Sequence, residues 1–209
     1  MPDTFDLTYI VMFLVVLVIT ISVHEFMHAY AGKALGDDTA DEEGRLSLNP
    51  LRHIDPILTI AMPLFFILLH QPPLLAAKPV PFRPEALRYG EWGSALVALA
   101  GPVSNLLLAV LGAIIFHVLP PGTSSLLYNF VVLFVTVNIS VFIFNLIPLP
   151  PLDGSRVLYA VAPDGVRRVM DVIEGFGLLS VVILVVILFP LISPVLSSVN
   201  QALLRFLLV

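Results

Sequence analysis

The sequence predicts an all-α polytopic membrane protein, and three observations lead to that fold class. Of the 209 residues, 58% are hydrophobic and 12% are charged, whereas soluble domains carry about 25% charged residues. The mean hydropathy is +1.01. Several charge-free stretches also reach about 20 residues, the length that a helix needs to cross a bilayer. A soluble enzyme is thereby excluded, as are disordered and nucleic-acid-binding proteins, because the chain is apolar and has a net charge of −5.

Four spans are predicted along the chain. They cover residues 7–31, 92–119, 126–148 and 175–193. A Pro-Pro-Gly turn at 120–122 separates the second span from the third, so these two form a hairpin. We expect Pro190 and Pro194 to end the fourth span, with an interfacial helix after them. Residues 56–77 contain four prolines and could cross the membrane, lie at its surface, or enter and return.

The distribution of Lys and Arg predicts the orientation, because basic links stay cytoplasmic. Residues 78–91 and 156–168 each hold three basic residues, whereas the hairpin turn at 120–125 holds none. We therefore expect both links inside, and the N-terminus and the turn outside. The first span should remain attached instead of being cleaved as a signal peptide, because acidic residues precede it. Residues 1–209 are expected to form one membrane-embedded domain.

Candidate metal ligands lie at the cytoplasmic end of the first span, in the sequence HEFMH. On a helix, His24 and His28 are one turn apart on one face, so both imidazoles can bind one Zn²⁺. Glu25 lies about 100° around the helix and can act as a general base without being a ligand. Ionisable residues in an apolar helix indicate a functional site. The alternative interpretation is a pair of histidines that packs between helices.

A catalytic zinc binds three protein ligands, and the third cannot be cysteine because the chain contains none. Asp153 is the preferred candidate, since it directly follows the third span at the level where the two histidines end the first. Prolines before it cannot continue the helix, and Gly154 permits a tight bend. His117 and His70 are expected at the membrane interface instead. An Asp-Gly turn at the membrane surface is the alternative interpretation.

Two segments are interpreted as extended. Residues 45–51 alternate polar and apolar side chains, the period of a half-buried strand, and residues 78–82 contain prolines of the kind tolerated at a sheet edge. A small cytoplasmic-side β-sheet could pair with an unwound substrate; an amphipathic loop is the alternative. We interpret His53 and Asp55 as a hydrogen-bonded pair, and the acidic residues within 37–43 as a solvated loop face.

These motifs resemble those of the site-2 protease family of intramembrane zinc metalloproteases, in its compact bacterial form without a PDZ domain. HEFMH is similar to the family's first zinc motif, and NLIPLPPLDG at 145–154 is similar to its third-ligand motif. Further similarity lies in residues 44–50, 53–56, 78–81 and 100–105, and the resemblance covers roughly residues 20–160. Where similar proteins usually carry Asp-Pro-x-Gly-Thr, residues 55–59 read Asp-Pro-Ile-Leu-Thr. The missing glycine affects only the expected backbone bend at this point.

The resemblance implies cleavage of membrane-spanning substrate helices near the cytoplasmic face of a bacterial inner membrane. It also implies Asp153 as a zinc ligand, and Asn145 and Asn105 beside the zinc, where they would hold substrate or the transition-state oxygen. We expect one Zn²⁺ per chain, with the lipid bilayer and a membrane protein substrate as partners and no nucleic acid.

Two other functional classes use the same residues. A membrane metal-ion carrier needs sites along a path that opens to both sides, whereas these candidate ligands cluster at one depth. A zinc-binding membrane scaffold without turnover is the second alternative.

Overall fold

The structure, a computed structural model, describes residues 7–53 and 80–209. The elements in these ranges are α1 (Leu7–Ala34), α2 (Thr39–Glu42), 3₁₀ turns at Pro50–Arg52 and Pro84–Ala86, α3 (Glu91–Val118), α4 (Ser125–Asn145), α5 (Asp153–Val161), α6 (Asp164–Gly175), α7 (Leu178–Ile183), a π-helical turn at Leu184–Leu188 and α8 (Phe189–Leu208). The predicted all-α class is confirmed, and the described residues form no strand. The predictions for residues 56–77, His70 and Asp55 lie outside the described residues.

Four helices within the described ranges are long and apolar enough to cross a bilayer. They are α1, α3, α4 and the run Leu179–Leu208. Large apolar side chains on their outer faces are exposed, among them Leu14, Leu107, Leu126 and Leu191. Helices whose outer faces are apolar are suited to a lipid environment, where the backbone polar groups are satisfied within the helix. The chain is therefore an integral membrane protein, as predicted.

The fourth span is longer than expected, because Pro190 and Pro194 do not end it. The helix continues from α7 through the π-helical turn into α8 as far as Leu208. Pro190 lies in the first turn of α8, directly after the π-helical turn. Local π adjustments of this kind re-satisfy backbone groups that a proline leaves unpaired in a membrane helix. The structure thus has one long helix where the sequence predicted a span and a separate interfacial helix.

Helices α1, α3 and α4 pack around one another in the middle of the bundle. Val16 of α1 packs against Leu133 of α4, and Ala109 of α3 packs against Ile139 of α4. Gly112 of α3 faces α4 so closely that a Cβ atom there would lie 2.8 Å from a side chain of α4. Small residues allow this close approach of membrane helices. The packing fixes the depth of α3 and α4 relative to α1.

The end of α1 and the start of α3 lie at the same end of the bundle. The backbone N–H of Arg88 donates to the carbonyl of Leu35 at 2.9 Å. A second link joins the backbone N–H of Arg83 to a carboxylate oxygen of Asp37 at 2.6 Å. Since α3 contains 28 residues, it extends about 42 Å at 1.5 Å per residue, which places the hairpin turn near Gly122 at the opposite end.

The prediction that all acidic residues within 37–43 are solvated is wrong for Asp37. Its exposed fraction is 3%, while the other four acidic residues, Asp38, Asp41, Glu42 and Glu43, are exposed. Besides Arg83, the backbone N–H and the hydroxyl of Thr39 donate to its carboxylate at 3.0 and 2.5 Å. Burial alone raises the pKa of Asp37, but these hydrogen bonds outweigh burial and hold the pKa below its usual value.

Residues 45–49 form a loop held by local hydrogen bonds, and the 3₁₀ turn at Pro50–Arg52 follows it, in place of the strand expected over 45–51. Arg45, which the alternation placed on the solvated face, is 3% exposed and donates to the carbonyl of Arg52, whereas Leu48 is 57% exposed. His53 donates from Nε2 to the carbonyl of Ser47 at 2.8 Å. Side-chain bonds to nearby backbone groups compete with a strand ladder, and here they define the loop.

The shared end of α1 and α3 gives a prediction about membrane topology. Cysteines introduced as Asp38→Cys and Glu85→Cys, both at exposed positions, should react from the cytoplasmic side, and Ser124→Cys should react from the other side. The native chain has no cysteine, so labelling with a membrane-impermeant maleimide reports each site alone. Reaction of the Asp38 and Glu85 variants from opposite sides would contradict this layout.

The hydrogen bonds of Asp37 give a prediction about stability and pH. Asp37→Asn should lower the free energy of unfolding by about 1–3 kcal/mol at pH 7, because hydrogen bonds to a buried charged group are lost. The folded pKa lies below the unfolded value of about 3.9, so the carboxylate contributes fully above that value and loses its contribution as the pH falls through the folded pKa. Unfolding by SDS in mixed micelles measures this difference, with Asp38→Asn as the control. A difference that stays constant down to about pH 3 would be inconsistent with this role.

Candidate metal centre

His24 and His28 lie on successive turns of α1, with exposed fractions of 7% and 8%. Their Nε2 atoms are 2.9 Å apart. The side chains therefore converge as the four-residue spacing predicts. Because α1 begins at Leu7 and continues to Ala34, the pair is inside a membrane-spanning helix and not in a loop.

Asp153 completes a triangle with the two imidazoles. Its Oδ2 lies 3.2 Å from His24 Nε2 and 3.5 Å from His28 Nε2. Ligands of a tetrahedral zinc, with bonds of 2.0–2.2 Å, are about 3.3 Å apart. The three edges of this triangle are close to that value. Within the described residues, these three form the group whose arrangement could hold a metal ion.

The turn between α4 and α5 brings Asp153 to the histidines. Asp153 is the first residue of α5, and the prolines before it stand in a series of turns after α4 ends at Asn145. A Cβ atom at Gly154 would lie 2.3 Å from the carbonyl oxygen of Leu146. Glycine is therefore required here for close approach to the preceding turn, and that approach sets the position of the carboxylate.

Hydrogen bonds on the far side of each ring determine which nitrogen faces the centre. His28 Nδ1 donates to the carbonyl of Val97 at 2.8 Å, and a carbonyl can only accept. His24 Nδ1 lies 2.6 Å from Oδ1 of Asn105. With both protons on Nδ1, each Nε2 presents a lone pair. Such outer hydrogen bonds commonly orient metal-binding histidines.

The donor set fits a divalent cation. Asp153 Oδ2 is buried and has no hydrogen-bond donor, and the Nε2 atoms of His24 and His28 carry no proton to offer it. Three electron-rich atoms in a buried position are unfavourable unless a positive charge lies between them. Two imidazoles and one carboxylate are a ligand set used by catalytic zinc.

The backbone of α3 passes directly over the two imidazoles at Gly101. A Cβ atom there would lie 2.4 Å from His28 Nε2 and 2.7 Å from His24 Cε1. A side chain of any size would occupy the space that a metal needs. The sequence marks Gly101 only as part of the matched segment 100–105, and no local pattern indicates that it lies over the imidazoles.

Of the other predicted site residues, Glu25 and Asn105 interact with the triangle, whereas the hydrogen bond of Asn145 is made within its own helix. Glu25 is 9% exposed and close enough to His24, His28 and Asp153 to interact with them electrostatically. Asn105 is fully buried behind His24. Asn145 is partly buried and donates from Nδ2 to the carbonyl of Val141 at 3.1 Å, one turn back in α4.

Two further histidines lie outside the triangle. His53 is 2% exposed, and its Nδ1 has no hydrogen-bond partner within the part of the chain that the structure describes. His117 lies at the far end of α3 and donates from Nε2 to the carbonyl of Leu207 at 2.9 Å. The latter contact ties the last turn of α8 to α3.

Comparison with curated proteins finds relatives that are named as metalloproteases. "Putative zinc metalloprotease YwhC" of Bacillus subtilis is 36% identical over 199 residues, which cover 90% of this chain and 85% of that protein. Proteins named "Putative zinc metalloprotease Rip2" are 27% identical over 188 residues in Mycolicibacterium smegmatis and 30% identical over 171 residues in Mycobacterium tuberculosis. These alignments cover 86% and 79% of this chain, and 70% and 63% of the respective relatives. No family model and no solved structure matches the chain.

The position of Gly101 gives a prediction about metal binding. Gly101→Ala should weaken zinc binding at least tenfold, because its Cβ atom would enter the space between the imidazoles. Gly165→Ala is the control, since it adds the same atom to a helix, α6, at a position where the described residues leave open space. Zinc affinity of both purified variants, measured by chelator competition, distinguishes them. Equal affinities would show that α3 does not limit the space at the centre.

Proposed function

The chain belongs to the zinc metalloprotease family that includes YwhC, and we propose that it is an intramembrane protease of the site-2 type. It would hydrolyse peptide bonds within or next to the transmembrane helices of substrate proteins. The observation that carries this proposal is that His24 and His28, which form the triangle with Asp153, lie within the spanning helix α1. A peptide bond reaches such a centre only if the substrate polypeptide enters the membrane-embedded part of the protein.

His24, His28 and Asp153 would hold one zinc ion. When bound, Zn²⁺ lowers the pKa of water and polarises the scissile carbonyl. Glu25, the residue after the first ligand, would take a proton from the attacking water as that water adds to the carbonyl carbon. It would return the proton to the amine nitrogen as the C–N bond breaks. His24 and His28 keep their orientation throughout, because their Nδ1 atoms stay bonded to Asn105 and Val97.

An open apolar cavity against α5, the helix that begins with Asp153, supports a membrane-spanning substrate. Its volume is about 310 Å³, and it adjoins Gly154, the residue next to Asp153. Leu99 of α3 and Val157 and Leu158 of α5 contribute to its lining. Aliphatic walls suit the apolar side chains of a transmembrane helix better than those of a soluble peptide. Asn145, partly buried at the end of α4, is the candidate for a contact to the unwound substrate backbone.

Basic residues support a cytoplasmic location for the centre. The links at the end of the bundle where α1 finishes and α3 begins carry Arg45, Arg52, Arg83 and Arg88. Basic residues next to spans are enriched on the cytoplasmic side. Since the relatives with the longest alignments are bacterial, we assign the chain to a bacterial inner membrane, with hydrolysis near its cytoplasmic face.

Glu25→Gln should keep the metal and lose hydrolysis, because the substitution removes the base and leaves all three ligands. We expect cleavage at least 100-fold slower than wild type, with zinc content unchanged. Asp153→Ala should instead lower the zinc content, and Glu43→Gln, at an exposed position, should change neither quantity. The measurements are bound zinc and cleavage of a fusion protein with a single transmembrane helix in detergent.

Two outcomes would contradict this function. Cleavage by Glu25→Gln at the wild-type rate would exclude Glu25 as the base. Cleavage of a soluble peptide as fast as the transmembrane fusion would exclude an intramembrane specificity.

A further inference from the structure

A buried chain of amide side chains connects His24 to α4. Asn105 of α3 places Oδ1 2.6 Å from His24 Nδ1 and donates from Nδ2 to Oδ1 of Asn138 at 3.3 Å. A longer bond of 3.4 Å joins the same Nδ2 to the carbonyl of Thr20 in α1. Both asparagines are fully buried. Asn138 is not needed as a ligand or base, yet it is a polar side chain in the apolar middle of a spanning helix.

The direction of every hydrogen bond in this chain follows from one carbonyl group. Asn138 Nδ2 lies 2.9 Å from the carbonyl of Phe134, which can only accept. The amide of Asn138 therefore points its oxygen towards Asn105. Asn105 must donate to that oxygen, so its own oxygen faces His24. His24 Nδ1 then carries the proton, and Nε2 is left with a lone pair.

His24 depends on these two asparagine side chains in a way that His28 does not. His28 Nδ1 bonds directly to the carbonyl of Val97, which cannot change from acceptor to donor. The partner of His24 is an amide, and an amide rotated by 180° exchanges its acceptor for a donor. A rotated Asn105 would favour the proton on His24 Nε2, where a metal would bind. The acceptor oxygen of Asn138 opposes that rotation. The carbonyl of Thr20, which also can only accept, opposes it through the longer bond of 3.4 Å.

We propose that Asn138 is a positioning residue which, through Asn105, holds His24 in the Nδ1-protonated form and keeps Nε2 available to the metal. This inference rests on the proposed function only in taking His24 as a ligand. A purely structural role would be the contribution of one interhelical hydrogen bond to bundle stability. The two roles differ in what they predict for metal affinity.

The first experiment compares Asn138→Leu with Asn200→Leu. Asn200 also bonds to α4, through Ser140 Oγ at 3.2 Å, but it has no connection to His24, so its substitution controls for the loss of an interhelical bond. Zn²⁺ affinity of the full-length protein in detergent is measured by competition with a chelator. Asn138→Leu should bind zinc about tenfold more weakly than wild type, and Asn200→Leu should stay within about twofold of it. Affinity of Asn138→Leu within twofold of wild type would overturn the proposal.

The second experiment separates positioning from structure by rescue. Asn138→Asp keeps an oxygen that accepts from Asn105 Nδ2, and in its protonated form it still donates to the carbonyl of Phe134. Its zinc affinity should therefore stay within about twofold of wild type, whereas that of Asn138→Leu falls. A loss as large as in Asn138→Leu would show that Asn138 does not act through its acceptor oxygen, and would overturn the proposal.

The third measurement requires no substitution of either asparagine. The ¹⁵N chemical shifts of His24 in zinc-free wild-type protein, assigned with His24→Ala, should show a protonated Nδ1 and an unprotonated Nε2. The opposite form would overturn the proposal even if the Asn138 variants failed to fold. His24→Ala also separates the proposed metal site from the proposed role of Asn138. Unchanged zinc affinity in His24→Ala would refute the metal site. If His24→Ala loses zinc affinity while Asn138→Leu keeps it, only the role of Asn138 is refuted.

Discussion

Three electron-rich atoms meet in a buried position, and the rest of the described structure depends on keeping them there. Two imidazole nitrogens and the Asp153 carboxylate lie 2.9–3.5 Å apart with no proton between them. In a medium of low polarity this arrangement is stable only with a cation. Each surrounding element has a part in it: α1 carries the histidines, α3 supplies Val97 and Asn105 behind them, and the turn after α4 positions the carboxylate.

Helical periodicity and hydropathy were sufficient to predict the features that depend on local sequence. The four-residue spacing of His24 and His28 places both on one face of any helix, and charge-free stretches mark spans regardless of how they pack. Asp153 could be selected because its level in the membrane follows from the end of the preceding span. The contacts of Gly101 with the imidazoles depend on the register between α1 and α3, which no local pattern encodes.

The differences between prediction and structure arise from contacts that a simple pattern of residue types does not show. Asp37 belongs to an acidic run, but it is buried because a backbone N–H 46 positions away, that of Arg83, donates to its carboxylate. Arg45 fits the polar side of an alternating pattern, yet it lies buried against the carbonyl of Arg52. Pro190 would end a helix in water, but follows a π-helical turn here. The outcome at Asp37 thus depends on a contact from a distant part of the chain, whereas the outcomes at Arg45 and Pro190 depend on neighbouring backbone groups.

The unequal exposure of the three ligands has a kinetic consequence. The side chain of Asp153 is 21% exposed, whereas those of His24 and His28 are 9% and 10% exposed, beneath the backbone of α3. Within the described residues, Asp153 is therefore the most accessible of the three candidate ligands, and a metal ion would exchange with the surroundings on its side of the centre. A polypeptide bound over Asp153, as the proposed function requires, would cover that side, and metal exchange would then be slower than in the free protein.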